Sequence, residues 1–112
     1  MSEGINFAEW QKLDLRVGKI MNVEDISNAD KLYKLIVKTD KERTLLAGLK
    51  KHYSKEELLG KRCIVFCNLA PRVMKGITSE GMILAAVSEA PEGEKVVLLQ
   101  PEKDIPEGSK IR

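Results

Sequence analysis

Between Asn68 and Met82 the chain reads NLAPRVMKGITSEGM, a stretch that collects several side chains able to meet a ligand. Arg72 and Lys75 are cations suited to phosphate, a contact that supplies affinity without sequence information. Asn68 and Ser79 are short neutral donors and acceptors of the kind that reach base edges or ribose hydroxyls. Met74 and Met82 offer adaptable apolar contact, and Gly76 and Gly81 let backbone approach a neighbour closely. The chemistry on offer is contact with an anion, not bond making. The residues alone leave a second account open: a long connection shaped by Pro71 and the glycines, with Arg72 and Lys75 solvated.

Bond-making chemistry is poorly supplied elsewhere. The single histidine, His52, lies in KKHYS beside two lysines. Ser79 in TSEGM lacks the surroundings of a nucleophile elbow, and no phosphate-cradling or dinucleotide-binding glycine motif occurs. Cys63 and Cys67 share one strand phase, but a metal would need two further ligands and His52 alone is at hand among soft or imidazole donors. Buried, inert thiols are the expectation. The sequence therefore predicts no catalytic residue, no metal and no cofactor.

Length and composition bound the rest. The 112 residues fit one domain, expected to span 1–112; 43% are hydrophobic and 32% charged, enough for a core in a soluble protein. No apolar run is long enough for a membrane span, MSEGINFAEW does not read as an export signal, and two cysteines suit a reducing compartment. A cytoplasmic protein is expected. The net charge is only +2, yet it is segregated. Twelve Lys and Arg against four acids fall between Lys31 and Lys75, while the remainder of the chain is acidic. Such segregation favours an anionic partner meeting one part of the molecule. Five aromatic residues are few for a protein that stacks single-stranded bases, which points to the shape of a folded RNA instead.

These side chains need elements to hold them. Asn6 with Glu9, and Ser54 with Glu57, are capping-box pairs that predict short helices over about residues 7–12 and at SKEELLG. LDLRVGKIMNVEDI alternates with period two, setting Leu13, Leu15 and Val17 against Asp14, Arg16 and Gly18, with Gly18 a candidate bend or bulge. KLYKLIVKT, RTLLAG, RCIVFCNL and GMILAAVS read as further strands, with short ones at EKVVLL and SKI. Ile64 and Phe66 make the outer phase of RCIVFCNL as apolar as its inner one. That face calls for cover by the terminal segments or a second subunit. Three strands, a short helix and two or more strands, with no helix long enough for a parallel crossover, predict an all-β fold. The expected form is a five-stranded oligonucleotide-binding barrel with the helix between strands 3 and 4 and with N- and C-terminal extensions. A small sandwich or an SH3-like barrel is the competing architecture. Residues 1–12 form the N-terminal extension, 13–88 the barrel and 89–112 the C-terminal extension.

DLRVGKI (14–20), NADKLYKLIV (28–37), LLAGLKKHYSKEELLGK (45–61), NLAPRVMKGITSEGMILAA (68–86) and the closing IPEGSKIR together resemble the tRNA-binding domain of the EMAP-II and methionyl-tRNA synthetase C-terminal type. The resemblance runs from about Phe7 to Arg112. It implies tRNA binding without strong sequence preference and a homodimer joined near the terminal segments, 89–112 among them. It further implies an accessory or beta-subunit role beside a methionyl-tRNA synthetase catalytic chain. Carried onto this sequence, it names Lys31, Asn68, Arg72, Lys75, Ser79 and Met82 as tRNA-binding residues. Where the family most often has a lysine after NL, this chain has Ala70, removing one phosphate contact. A CsaA-like export chaperone of the same architecture, with tRNA binding secondary, is the alternative.

Overall fold

The computed structural model describes residues 3–112; the first two positions of the expected N-terminal extension lie outside the described residues. Helix α1 (Phe7–Trp10) is short and carries the capping box, Asn6 Oδ1 accepting from Glu9 N and Glu9 Oε1 from Asn6 N. Strands β1 (Leu15–Asp25), β2 (Tyr33–Lys38) and β3 (Glu42–Ala47) follow, then helix α2 (Lys55–Leu58), capped in the same way by Ser54 and Glu57. Next come β4 (Arg62–Phe66), a small hairpin β5 (Arg72–Met74) and β6 (Ile77–Ser79), then β7 (Met82–Ile83). A second hairpin, β8 (Ala85–Ala90) with β9 (Gly93–Leu98), precedes the C-terminal segment. β3, β2, β1, β4 and β7 form one sheet in that order, antiparallel where they pair. The sheet curls into a nearly closed five-stranded barrel of the oligonucleotide-binding kind. None of the described helices is long and apolar enough to cross a membrane.

The bend that lets β1 serve two neighbours lies three residues beyond the glycine expected to mark it. Residues 15–19 pair with β4 and 19–25 with β2, and the register slips between Ile20 and Asn22, so Met21 is the extra residue of a bulge. Gly18 has a different job. It pairs with Cys63 on the inner face, and a Cβ there would stand 2.6 Å from Val37 Cγ1. Any side chain at 18 would displace the core. The core itself is apolar and continuous: Ile20, Val23, Leu35, Val37, Leu45, Leu58, Cys63 and Val65 belong to one buried cluster. Burial of each large aliphatic side chain there stabilises the fold by about 1.5–3 kcal/mol before conformational entropy is subtracted.

The outer face of β1 and β4, apolar in the sequence and expected to need cover, is a second buried surface. Leu15 and Val17 lie opposite Phe66 and Ile64, and Leu15, Val17 and Ile64 are all buried. The C-terminal segment lines the strand edge that β2 leaves free: Val17 N donates to Ser109 O, Gly108 N to Val17 O and Ile111 N to Leu15 O. GMILAAVS, expected as one strand, divides at Leu84. Its N–H donates to Ile64 O on β4 and its carbonyl accepts from Leu99 N, after which β8 leaves the barrel to pair with β9. One hairpin thus stands apart from the barrel sheet while Leu98, at its end, remains in the barrel core.

Candidate nucleic-acid interface

The stretch from Asn68 to Met82 is a built hairpin. β5 and β6 pair with Met74 opposite Ile77, leaving Lys75 and Gly76 as a two-residue turn with φ of 54° and 77°. Two consecutive positive φ values are the requirement of the hairpin turn whose twist matches its strands, and glycine supplies the second without strain. The turn puts Lys75 at the tip, exposed, with Arg72 exposed on the outgoing strand.

Three side chains, from Arg43, Ser79 and Glu80, bolt the hairpin to the barrel. The guanidinium of Arg43 on β3 donates from Nη1 to Cys67 O (3.2 Å) and to Glu80 O (3.3 Å), so one side chain clamps both ends of the excursion. Arg43 is itself held by Thr39 Oγ1 at 2.9 Å and Asp40 Oδ1 at 3.1 Å. Hydrogen bonds from the Thr39 hydroxyl, chiefly, and from Arg43 hold the Asp40 carboxyl down at about 2. Ser79 Oγ accepts from Leu46 N (3.0 Å) and donates to Gly81 O (3.1 Å). Glu80 pairs with Thr44 twice, its N–H to Thr44 O and its Oε1 accepting from Thr44 N. These bonds satisfy the β3 edge where the barrel sheet does not close. Gly81 makes the approach feasible, since a Cβ there would stand 2.8 Å from Phe66 O.

The hairpin meets the loop over residues 26–32 through a second, smaller apolar cluster. Ile26, Ala29 and Leu46 are buried together, with Leu32, Met74 and Ile77 packed against them. Two segments more than forty residues apart thereby form one rim. Lys31 stands exposed on one side of it, Arg72 and Lys75 on the other, and among the described residues none of the three is in an ion pair. Cations held on a rigid base and left unneutralised form a surface that attracts phosphate. Met82, exposed, lines a shallow depression of about 40 Å³ at the hairpin base together with Arg72, Met74 and Ala70.

The six residues named from sequence divide by what their side chains already do. Lys31, Arg72, Lys75 and Met82 face outward. Ser79 is 5% exposed, with its hydroxyl engaged as donor and acceptor inside the protein. Asn68 is exposed yet tethered: Oδ1 accepts from Asp14 N at 2.8 Å and Nδ2 donates to Lys12 O at 2.7 Å, tying the N-terminal extension to the end of β4. Arg43 and Glu80 are absent from the residues that sequence reasoning names. Arg43 sits in RTLLAG, where it reads as an ordinary strand cation, but Glu80 carries a signal as the sole acid of a basic stretch. Both cysteines are buried, and burial above all pushes the Cys63 thiol up to about 12 and the Cys67 thiol upward too.

Comparison with known proteins agrees with this geometry. A family model described as "Putative tRNA binding domain" matches residues 15–110. The methionine–tRNA ligase of Pyrococcus horikoshii is 51% identical over 111 residues, covering 98% of this chain but 15% of that protein. The methionine–tRNA ligase of Nanoarchaeum equitans is 50% identical over 109 residues, 96% of this chain and 14% of that protein. The chain thus spans about one seventh of the length of these curated relatives. Among solved structures, a MetRS related protein from Pyrococcus horikoshii superposes with a TM-score of 0.86 at 33% identity, covering 99% of this chain and 100% of the other. The chaperone CsaA of Bacillus anthracis superposes at 0.84 and 31% identity, covering 97% and 99%. A chain whose fold, basic rim and sequence agree in this way belongs to the tRNA-binding domain family.

Proposed function

We propose that the protein binds folded tRNA, without strong sequence preference, on the rim formed by residues 26–32 and the β5–β6 hairpin. The observation that carries this reading is the apolar cluster that joins those segments and leaves Lys31, Arg72 and Lys75 exposed and outside any described ion pair. Lys31, Arg72 and Lys75 contact phosphate, and Met82 packs against a base or sugar at the hairpin foot. Ser79 contributes by holding the hairpin in place, its hydroxyl committed within the protein, while Asn68 ties the N-terminal extension to the end of β4. Gel shift of folded tRNA against wild type and an Arg72→Ala/Lys75→Ala variant tests the reading. At least a roughly tenfold decrease in affinity is expected from removing two phosphate-binding cations, and unchanged affinity would refute it.

The protein works as a homodimer in service of a methionyl-tRNA synthetase. Support for the second part comes from the methionine–tRNA ligases it matches. Support for the first is an exposed apolar surface at the N-terminal extension. Ile5 and Phe7 are 77% and 70% exposed, and with Trp10 and Leu13 they line a depression of about 520 Å³. The C-terminal residues Lys110, Ile111 and Arg112 adjoin it. A symmetric partner would cover such a surface and double the basic rim. Affinity purification from cells recovering a synthetase chain and tRNA supports the role, whereas recovery of neither contradicts it.

The likeness to CsaA favours a second reading, a chaperone-like module that uses the same apolar surface for clients. Suppression of client aggregation that survives Arg72→Ala/Lys75→Ala would favour it.

A further inference from the structure

A second group of cations lies beside the rim, on the segment between β3 and α2. Hydrogen bonds tie that segment down. Lys50 N donates to Lys31 O, His52 N and Tyr53 N both donate to Leu49 O, Tyr33 Oη donates to Tyr53 O, and Leu98 N donates to Tyr53 Oη. Asp25 takes Lys50 Nζ of this segment at 3.0 Å and Lys55 Nζ, at the start of α2, at 2.6 Å, its one charge offsetting one of the two cations, and the pair draws the Asp25 carboxyl below its ordinary range. Lys51 is left exposed and outside any ion pair among the described residues, as Lys31 is.

Lys31, Leu32, Gly48, Lys51, His52 and Glu94 line an open depression of about 510 Å³. Leu32 also packs on the cluster under the hairpin, so the depression continues the rim. Glu94 is the odd member. It lies on β9 in phase with Val96, which packs on the core, and Leu98, which is buried in it, yet its own side chain is 55% exposed at the edge of the depression. It also stands directly across from Glu89 on β8, a like-charged pairing that costs stability. What it reaches is His52 Nε2, at 3.5 Å, with the His52 side chain 21% exposed.

We infer that this depression is a second phosphate subsite of the same interface, and that Glu94 is its built-in brake. The inference rests on the rim reading for its ligand. Lys31 and Lys51 supply charge and His52 Nε2 a donor, for a phosphate of the RNA backbone that continues past the hairpin. With the subsite empty, Glu94 Oε1 stands 3.5 Å from the imidazole nitrogen, and its negative charge repels a phosphate at the same spot. RNA must displace that contact to seat, so Glu94 lowers affinity without touching the rim.

The chain's one histidine makes the subsite observable, because a single imidazole resonance reports it. Affinity for folded tRNA across a salt series is compared for wild type, Lys51→Ala, Glu94→Gln and Arg72→Ala/Lys75→Ala, and the His52 resonance is followed on adding tRNA or inorganic pyrophosphate. Lys51→Ala is expected to weaken binding about three- to tenfold and to make log K less steep in log salt by about one unit. Glu94→Gln, which also relieves Glu89, is expected to tighten binding by a similar factor, and tRNA is expected to shift the His52 resonance. Unchanged affinity for Glu94→Gln with an unmoved resonance at saturating tRNA overturns the subsite, while weakened binding in Arg72→Ala/Lys75→Ala alone overturns it and leaves the rim standing. Weakened binding in Lys51→Ala with none in Arg72→Ala/Lys75→Ala overturns the rim and keeps the subsite. A resonance moved by pyrophosphate and not by tRNA overturns RNA as its occupant.

Discussion

At the scale of the residue, the side chains divide into those that hold the interface and those left to meet a ligand. Arg72 and Lys75 belong to the second group, so replacing either by Ala should weaken tRNA binding. Each replacement should also flatten the salt dependence by about one unit of slope, with little change in thermal stability. Ser79 belongs to the first. Ser79→Ala leaves Leu46 N–H and Gly81 O buried without a partner and should cost on the order of 1–3 kcal/mol in urea unfolding. Asp40 makes the clamp sensitive to acid. Its carboxyl is held at about 2 against an ordinary 3.8, so its contribution is complete above the ordinary value and is lost as pH falls toward 2. Asp40→Asn should unfold more easily than wild type at pH 7, and the difference should vanish in scans taken toward pH 2. Residue types alone identify the outward cations, because a lysine after a sharp turn has nowhere inward to go. They do not reveal that the Ser79 hydroxyl is spent inside the protein or that exposed Asn68 also tethers Lys12 and Asp14, because an amide or hydroxyl serves backbone and ligand equally well and only tertiary position decides.

At the scale of the element, the hairpin and the loop over 26–32 act as one unit because Leu46 lies buried between them. Gly81 is the point where the hairpin returns to the barrel, with φ of 146° and the carbonyl of Phe66 where a β-carbon would meet it. Gly81→Ala should therefore lower the melting temperature by several degrees and reduce tRNA affinity together with it, whereas Gly76→Asn, at a turn position with open space around it, should be mild. Barrel strands and both capped helices are legible from period-two alternation and the Asn6–Glu9 and Ser54–Glu57 pairs. The hairpin inside NLAPRVMKGITSEGM is not, because three-residue strands carry too little periodicity. Alternation points to Gly18 for the bend because a glycine in a strand has two readings, bend or close approach. The contact with Val37 that selects the second is made by a strand some twenty residues away.

At the scale of the molecule, Lys31, Arg72 and Lys75 from the two ends of the basic middle meet on one rim, and the exposed apolar N-terminal extension is set beside the chain's C-terminal residues. Sedimentation should give twice the 12.6 kDa of the chain at micromolar concentration, and Phe7→Asp should return it to monomer. A dimer links two rims, so Phe7→Asp should also loosen tRNA binding by more than the removal of any one phosphate-binding cation. The fold class can be read in advance because five short strands with no crossover helix admit few closures. That the outer face of β4 needs cover can be read too, but not whether a terminal segment or a second subunit supplies it, since the C-terminal segment that lines the edge of β1 is about ninety residues distant in sequence and weakly patterned. Everything proposed for the rim depends on its recognising a folded RNA and not merely negative charge. The decisive measurement sets affinities for folded tRNA and for duplex DNA of equal charge side by side across a salt series. Tighter binding of tRNA is expected at every salt concentration, with the margin reduced by Arg72→Ala/Lys75→Ala; equal affinity for the two, or no binding of tRNA at low salt, would contradict recognition of folded RNA by the rim.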